Sequence, residues 1–283
     1  MKPQTRADAH DGFLDHPVVH AYTAMRTLGG LHRHIDSVIA EIRTRTAPGA
    51  RVFALALRGA DREIEVAQSL PDRSFDVVET SQARVEQARA EIERLGLRNI
   101  EVRVDDPAQP DLEAGAYSVV TGQYSIHLLE DVEQFWESCH AALHSGGTIL
   151  AQEQVGPTRL CWTAAQVAAA NRALDELVPA AHKPHHQTVG ADLTEELLEA
   201  EPTAAARSED LVDTCGRAGF EVVTNMGAAC GLLQPVLARQ IDTYDPANWE
   251  HNRVLSSLFA EEERLMAEGA LGHSFAMFIA RRS

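Results

Sequence analysis

Apolar residues recur along the chain first at helical spacing and then in short unbroken runs. Residues 13–46 carry them at helical spacing, with Leu31, Ile35, Val38, Ile39 and Ile42 in one stripe that Pro48-Gly49 closes. The run from Val52 to Leu57 is continuous and short, the mark of a strand buried on both faces. A helical segment follows from Glu63 to Leu70, then a second apolar run from Phe75 to Val78 that stops at Glu79. Residues 82–95 form a charged amphipathic helix closed by Gly96, and a strand from Asn99 to Val104 ends in Asp105-Asp106. Tyr117 to Thr121 reads as a fourth strand, residues 131–143 as a helix, and Gly146-Gly147 as a turn into a fifth strand, Thr148 to Gln152.

Strand and helix thus alternate through residues 50–155, which predicts a doubly wound α/β sheet with mainly parallel strands. The regularity breaks at residues 157–206, an Ala-rich helical stretch interrupted by the polar loop His182-Lys183-Pro184-His185-His186. Alternation resumes with a helix at 208–218, a strand at 220–225, a helical stretch near 250–268 and a last strand from Ser274 to Ala280. The expected organisation is an N-terminal helical lid segment at 1–50, a core at 51–156 and 207–283, and an insertion at 157–206 that completes the lid. A lid of this size suits a small organic substrate whose reaction is sheltered from water.

Composition narrows the class of partner. The 283 residues are 45% hydrophobic and 24% charged, enough for one large core or two modest domains. Lys and Arg total 25 against 42 Asp and Glu, a formal net charge of −17 that repels phosphate backbones and anionic lipid. The expected partner is therefore a small-molecule substrate, with no nucleic acid and no membrane. No run of 18 apolar residues occurs and the N-terminus lacks a signal-like apolar stretch, so the expected location is cytoplasmic. Cys139, Cys161, Cys215 and Cys230 are scattered without a CxxC pair, as thiols in a reducing compartment would be. Among thirteen histidines, His16 and His20 lie four apart, as do His32 and Asp36, so each pair shares a helix face. No H-E-x-x-H or comparable spacing accompanies them, so no metal site is expected. A substrate-facing role for His16 or His20 is the alternative, while the His182–His186 cluster reads as a solvated connector.

Several strings resemble, in order and spacing, those of class I S-adenosylmethionine-dependent methyltransferases of the small-molecule, natural-product type. The match covers roughly residues 50–155 and 207–283. Phe75-Asp76-Val77-Val78-Glu79 is similar to the family's second strand, which places Glu79 on the cofactor ribose, a task that suits a carboxylate accepting from two vicinal hydroxyls. Asn99 to Asp106 resembles the third strand, with Asp106 at the adenine amino group. Tyr117 to Val120, continuing through Ile126-His127-Leu128-Leu129, resembles the fourth strand and its loop into the reaction chamber, which makes His127 a candidate general base. Leu143-His144-Ser145-Gly146-Gly147 resembles the turn before the fifth strand, and Ser208 to Val222 the helix and strand before the C-terminal hairpin. The resemblance implies a seven-stranded, mainly parallel sheet with a C-terminal antiparallel strand and a helical lid. By position at strand ends or in the lid, Tyr124 and His20 join the catalytic candidates, and His16, Tyr22, Gln152 and Trp162 the substrate-facing ones. Bland alternatives stand beside these: a helix-start acid for Glu79, a turn at Asp106-Pro107, and a core anchor for Trp162.

One loop departs from the pattern. After its first strand the family places an acid and a Gly-x-Gly-x-Gly loop, where backbone approaches the methionine part of the cofactor. Here the string reads Ala54-Leu55-Ala56-Leu57-Arg58-Gly59-Ala60, so Ala54 replaces the acid and Ala56, Arg58 and Ala60 replace the glycines. Ala56 and Gly59 remain the cofactor-side candidates. At about 5 Å and an effective dielectric near 20, a guanidinium and a sulfonium repel by roughly 3 kcal/mol. Arg58 in that place instead attracts carboxylate, phosphate or sulfate, unless it swings outward or pairs with Glu79. Three readings follow. The first is an enzyme on a methyltransferase scaffold that requires no cofactor and carries out an intramolecular cyclisation or an elimination with loss of an anionic leaving group. The second is a working S-adenosylmethionine-dependent methyltransferase. The third is a non-catalytic subunit that supports a homologous partner, and a homodimer through the N-terminal helices is the other assembly considered.

Overall fold

The structure, a computed structural model, describes residues 12–30, 33–183 and 188–283. Leu31 of the predicted stripe, His32 of the His32–Asp36 pair, and His185 and His186 of the histidine loop lie outside the described residues.

Seven strands form one sheet: β1 (Arg51–Leu55), β2 (Ser74–Glu79), β3 (Ile100–Val104), β4 (Tyr117–Gln123), β5 (Leu143–Gln154), β6 (Phe220–Gly227) and β7 (Phe275–Arg282). Their spatial order is β3-β2-β1-β4-β5-β7-β6, with β1–β2, β2–β3, β1–β4 and β4–β5 parallel and β7 the antiparallel strand. The doubly wound class read from the sequence is the class observed. Strand order reverses on either side of β1, so the carboxyl ends of β1 and β4, in register at Leu55 and Gly122, open the crevice where such sheets receive ligands.

Local chemistry fixes the helices that flank the sheet. These are α2 (His34–Arg45), α3 (Asp61–Ser69), α4 (Gln82–Leu95), α5 (Val132–Ala142) and α8 (Leu211–Arg217). Ser81 caps α4 by accepting from the Arg84 N–H, and Gly96 ends it in the left-handed conformation at φ +69°. Asp131 caps α5 from the Gln134 N–H at 3.0 Å. Phe53, Leu55, Val120, Ile149 and Ala151 of the strands bury against Phe135, Trp136 and Cys139 of α5. β5 begins five residues earlier than the sequence suggests. Its ladder pairs Leu143 with Tyr117, loops out, and resumes at Thr148 opposite Val119. Gly146 at φ +78° supplies the left-handed step of that bulge, so the Gly-Gly pair bends a strand already begun.

The chain divides into two compact units whose boundaries differ from those expected. Of the described residues, one holds those of 33–155, 207–226 and 277–283; the other holds those of 12–30, 156–206 and 227–276. Residues 227–276 thus group with the N-terminal helix and the 156–206 segment, because α10 (Trp249–Ala267) packs on α1 (Pro17–Leu28), and α9 (Leu233–Leu237) packs on α6 (Ala164–Glu176). α7 (Ala191–Ala200) completes this second unit. Its organising group is Glu262 of α10, fully buried, whose carboxylate accepts from the N–H groups of Cys230, Leu232 and Leu233 at 3.0, 3.0 and 3.1 Å. Ala229 and Cys230 hold left-handed φ of +63° and +70°, a turn that gathers those N–H groups around an anion.

Trp136 is the largest fully buried side chain, and its indole N–H donates to Thr214 Oγ1 at 3.0 Å. Trp136→Ala should lower unfolding free energy by about 3–5 kcal/mol, and Thr214→Val, which orphans the indole N–H, by about 1–3 kcal/mol. Urea titration of the three proteins checks both values.

Candidate active site

The crevice is shaped first by a carboxylate. Glu79, the last residue of β2, is fully buried and receives six donors. Arg84 approaches as a fork, Nε to Oε2 at 2.5 Å and Nη2 to Oε1 at 2.8 Å. The N–H of Gly59 reaches Oε2 at 3.0 Å, while those of Thr80 and Ser81 reach Oε1 at 2.6 and 2.9 Å, with the Thr80 hydroxyl at 3.2 Å. Burial pushes this carboxyl up, but Arg84 and the Ser81 and Thr80 N–H groups outweigh it and hold Glu79 below the usual carboxylate range. Gly59 sits at φ +102°, open to glycine alone, and this turn aims its N–H at Glu79. Arg84 carried a signal that the sequence reading passed over. A cation in the first turn of a helix opposes the backbone dipole and implies a specific anionic partner.

A second carboxyl lies at the start of α3, directly after the same loop. Glu63 is buried, and burial pushes it up to about 7, against its own backbone N–H and the Arg62 cation. Sequence reasoning placed Glu63 only as a helix start. The clue was an acid immediately before Ile64 on a helix whose other buried positions are apolar.

At the end of β4, Tyr124 adopts φ +57°, a strained value for an aromatic residue and one found chiefly where function demands it. Its hydroxyl accepts from Gln152 Nε2 at 2.7 Å, and the Arg62 guanidinium lies 4.9 Å from its ring centre. The segment that follows is held from beneath by Glu153. Its Oε1 accepts from the N–H groups of Ser125 and Ile126 at 3.1 and 3.0 Å, and its Oε2 lies 2.6 Å from His127 Nδ1. A Cβ at Gly122 would meet Ile126 at 2.5 Å and Glu153 Oε1 at 2.9 Å, so this turn packs against bare backbone. His127 and Glu153 are both fully enclosed. His127, expected as a general base, has no face of its ring open to solvent in the protein and is bound through Nδ1 to Glu153. The Leu57 N–H donates to Ser125 Oγ at 3.1 Å and ties the β1 loop to this turn.

The remaining candidates divide by unit. Ala56 is buried, its N–H bound to Val78 O at 2.9 Å, and Arg58 is half-buried with interactions of its own in the protein. Asp106 is exposed and accepts from the Ala108 N–H at 2.9 Å, the turn geometry that the following proline favours. In the other unit, Tyr22 donates to Glu262 at 3.2 Å and stacks on Phe259 with ring centres 4.3 Å apart, so its hydroxyl is already engaged. His16 Nε2 lies 3.0 Å from Tyr244 O, and burial lowers its pKa, while Nδ1 finds no partner. His20 is half-buried on the same helix. Trp162 is buried with its indole N–H unpartnered. His182 is buried rather than solvated, stacked on Tyr244 at 4.3 Å and bonded through Nδ1 to Thr243 at 3.0 Å. Among the described residues no group of His, Cys, Asp and Glu could hold a metal ion, and no helix is long and apolar enough to cross a membrane.

Set against the cofactor that the fold implies, these residues do not fit in this arrangement. A carboxylate offers about four lone-pair directions, and six donors already fill those of Glu79. Ala54 offers no charge to an ammonium, and Asp106 closes its own turn.

Residues 63–149 match the family described as a methyltransferase domain. A highly reducing polyketide synthase, otaA of Aspergillus niger, is 27% identical over 165 residues, which is 56% of this chain and 6% of that protein. Among solved structures, phosphoethanolamine N-methyltransferase 2 of Haemonchus contortus with S-adenosyl-L-methionine is similar at TM-score 0.57 and 14% identity, covering 96% of this chain and 60% of that one. Geranyl diphosphate C-methyltransferase of Streptomyces coelicolor is similar at 0.54 and 10% identity, covering 90% and 82%. The [4+2]-cyclase SpnF is similar at 0.52 and 13% identity, covering 97% and 96%.

The Glu63 carboxyl generates a prediction with a definite sign. Its folded pKa lies above its ordinary 4.5, so the folded chain keeps a proton that the unfolded chain releases. Stability should fall as pH rises from about 4.5 to 7, by about 3 kcal/mol in all. Glu63→Gln should remove that slope, as urea titrations at pH 5 and pH 7.5 will show.

Proposed function

We propose that this chain, which has the class I methyltransferase fold and whose residues 63–149 match a methyltransferase-domain family, is an enzyme of small-molecule, natural-product chemistry that does not transfer methyl groups. The reaction is an intramolecular ring closure, or an elimination that expels an anionic leaving group. The observation that carries this reading is the saturation of Glu79 by Arg84 and its neighbours. The loop that lacks its acid and all three of its glycines supports it, as does the similarity in fold to a protein described as a [4+2]-cyclase.

Reactions of this kind gain most from orientation, which alone is worth several kcal/mol. Tyr124, at the end of β4, is the proposed orienting group, its hydroxyl oxygen held by the Gln152 amide. As the carbon–leaving-group bond breaks, the leaving group takes its electron pair to Arg58, while the electrons of a C–H or O–H bond of the same substrate form the new π or ring bond and their proton passes to the departing anion. His127 and Glu153 hold the turn that keeps Tyr124 in its strained geometry.

A second reading, methyl transfer from S-adenosylmethionine, is favoured by the domain match and by the likeness in fold to phosphoethanolamine N-methyltransferase 2. Titration calorimetry with S-adenosylmethionine and its demethylated product separates the two. The proposed function predicts affinity weaker than about 50 µM for both, a value inside the common range for enzyme substrates. Tighter binding of either overturns it in favour of methyl transfer.

A further inference from the structure

The two faces of the sheet differ at the carboxyl ends of β4 and β5. Side chains alternate along a strand, so Gly122 and Glu153 point to the face that carries Val120 and Ala151 against α5, where Glu153 is fully bonded. Thr121, Gln123, Gln152 and Gln154 point to the opposite face, with Gln123 in register with Gln152. All four are at least nine-tenths buried. Gln152 is satisfied by Tyr124, but Thr121 Oγ1, Gln123 Nε2 and both polar atoms of Gln154 find no hydrogen-bond partner in the protein. Three unpaired polar side chains on one patch are rare, since each buried orphan costs about 1–3 kcal/mol. A core built for packing alone would carry Val, Leu or Met here.

We infer that this patch recognises the substrate of the proposed reaction, and that the substrate is an uncharged, extended carbon chain bearing both hydroxyl and carbonyl oxygens, of polyketide type. The inference rests on the reading of the site as one for a small molecule. The four side chains of the patch are neutral, so they offer an ionic group no countercharge to offset its desolvation. The orphans include donors and an acceptor, so the ligand must both accept and donate, as carbonyls and hydroxyls together do. Positions two apart on a strand lie about 7 Å from each other, and neighbouring strands lie about 4.8 Å apart. That grid suits oxygens spaced along a chain better than a single compact polar head. Tyr124, bonded to Gln152 at the edge of the patch, then meets the reacting end.

The test uses the intact protein and three probes: methyl 3,5-dihydroxydecanoate, methyl decanoate and geranyl diphosphate, each titrated by ligand-observed NMR. The dihydroxy ester should bind at least about tenfold tighter than methyl decanoate, and Gln154→Met or Gln123→Met should erase most of that difference. The unfolding midpoint of Gln154→Met should equal or exceed that of the parent, because the amide is unpaired in the free protein; a structural amide would give a clear fall. Equal affinity for the two esters, failure of both to bind, a preference for the diphosphate, or a destabilised Gln154→Met each overturns the inference. Titration with S-adenosylmethionine is read separately. Tight cofactor binding with the ester pattern intact removes the non-methylating reading and leaves the substrate class standing.

Discussion

A buried carboxylate has few places to receive a donor, and Glu79 has all of its places filled. The constraint is geometric before it is energetic. Two loops, one after β1 and one after β2, converge on the same pair of oxygens, and Arg84 closes the set with a charge-assisted fork. The mouth of the crevice is thereby shaped by an internal ion pair. The left-handed turn at Gly59, which leads into α3, is tied to that knot through its own N–H.

Pattern alone revealed most of the sheet. The helix at 82–95 lies at its predicted limits because a serine cap and a glycine stop bracket it, and both signals are local. The start of β5 was hidden because its bulge depends on pairing with Tyr117, a partner far away in sequence. The candidate site was legible in position more than in role. Glu79 was found through its place at a strand end, but its saturation depends on where Arg84 lands, which no spacing rule states. The depth of Glu63 and of His127 is not legible in the sequence, because the enclosure of a side chain is a property of tertiary packing. The Gln-x-Gln alternation at 152–154 was open to view, and its meaning appeared only when the register showed Gln123 alongside.

The pleat gives one strand two occupations. Glu153 faces the α5 side and spends every bond on the protein, fixing the turn that bears His127. Its neighbours Gln152 and Gln154 face the other way, where one bonds Tyr124 and the other bonds nothing of its own chain. A single register shift would exchange these faces, so the long parallel ladder between β4 and β5 keeps a rigid support apart from a receptive surface.

The second unit is stitched from three separated stretches of chain, and its first helix packs on its last. On the ribosome, α1 emerges more than two hundred residues before α10. At about 5–20 residues per second, it waits roughly 10–50 seconds for that partner. Through that interval the face of α1 that carries Val19 and Ala24 stands uncovered by α10, so the yield of this protein in a cell should depend on what shields that face during translation.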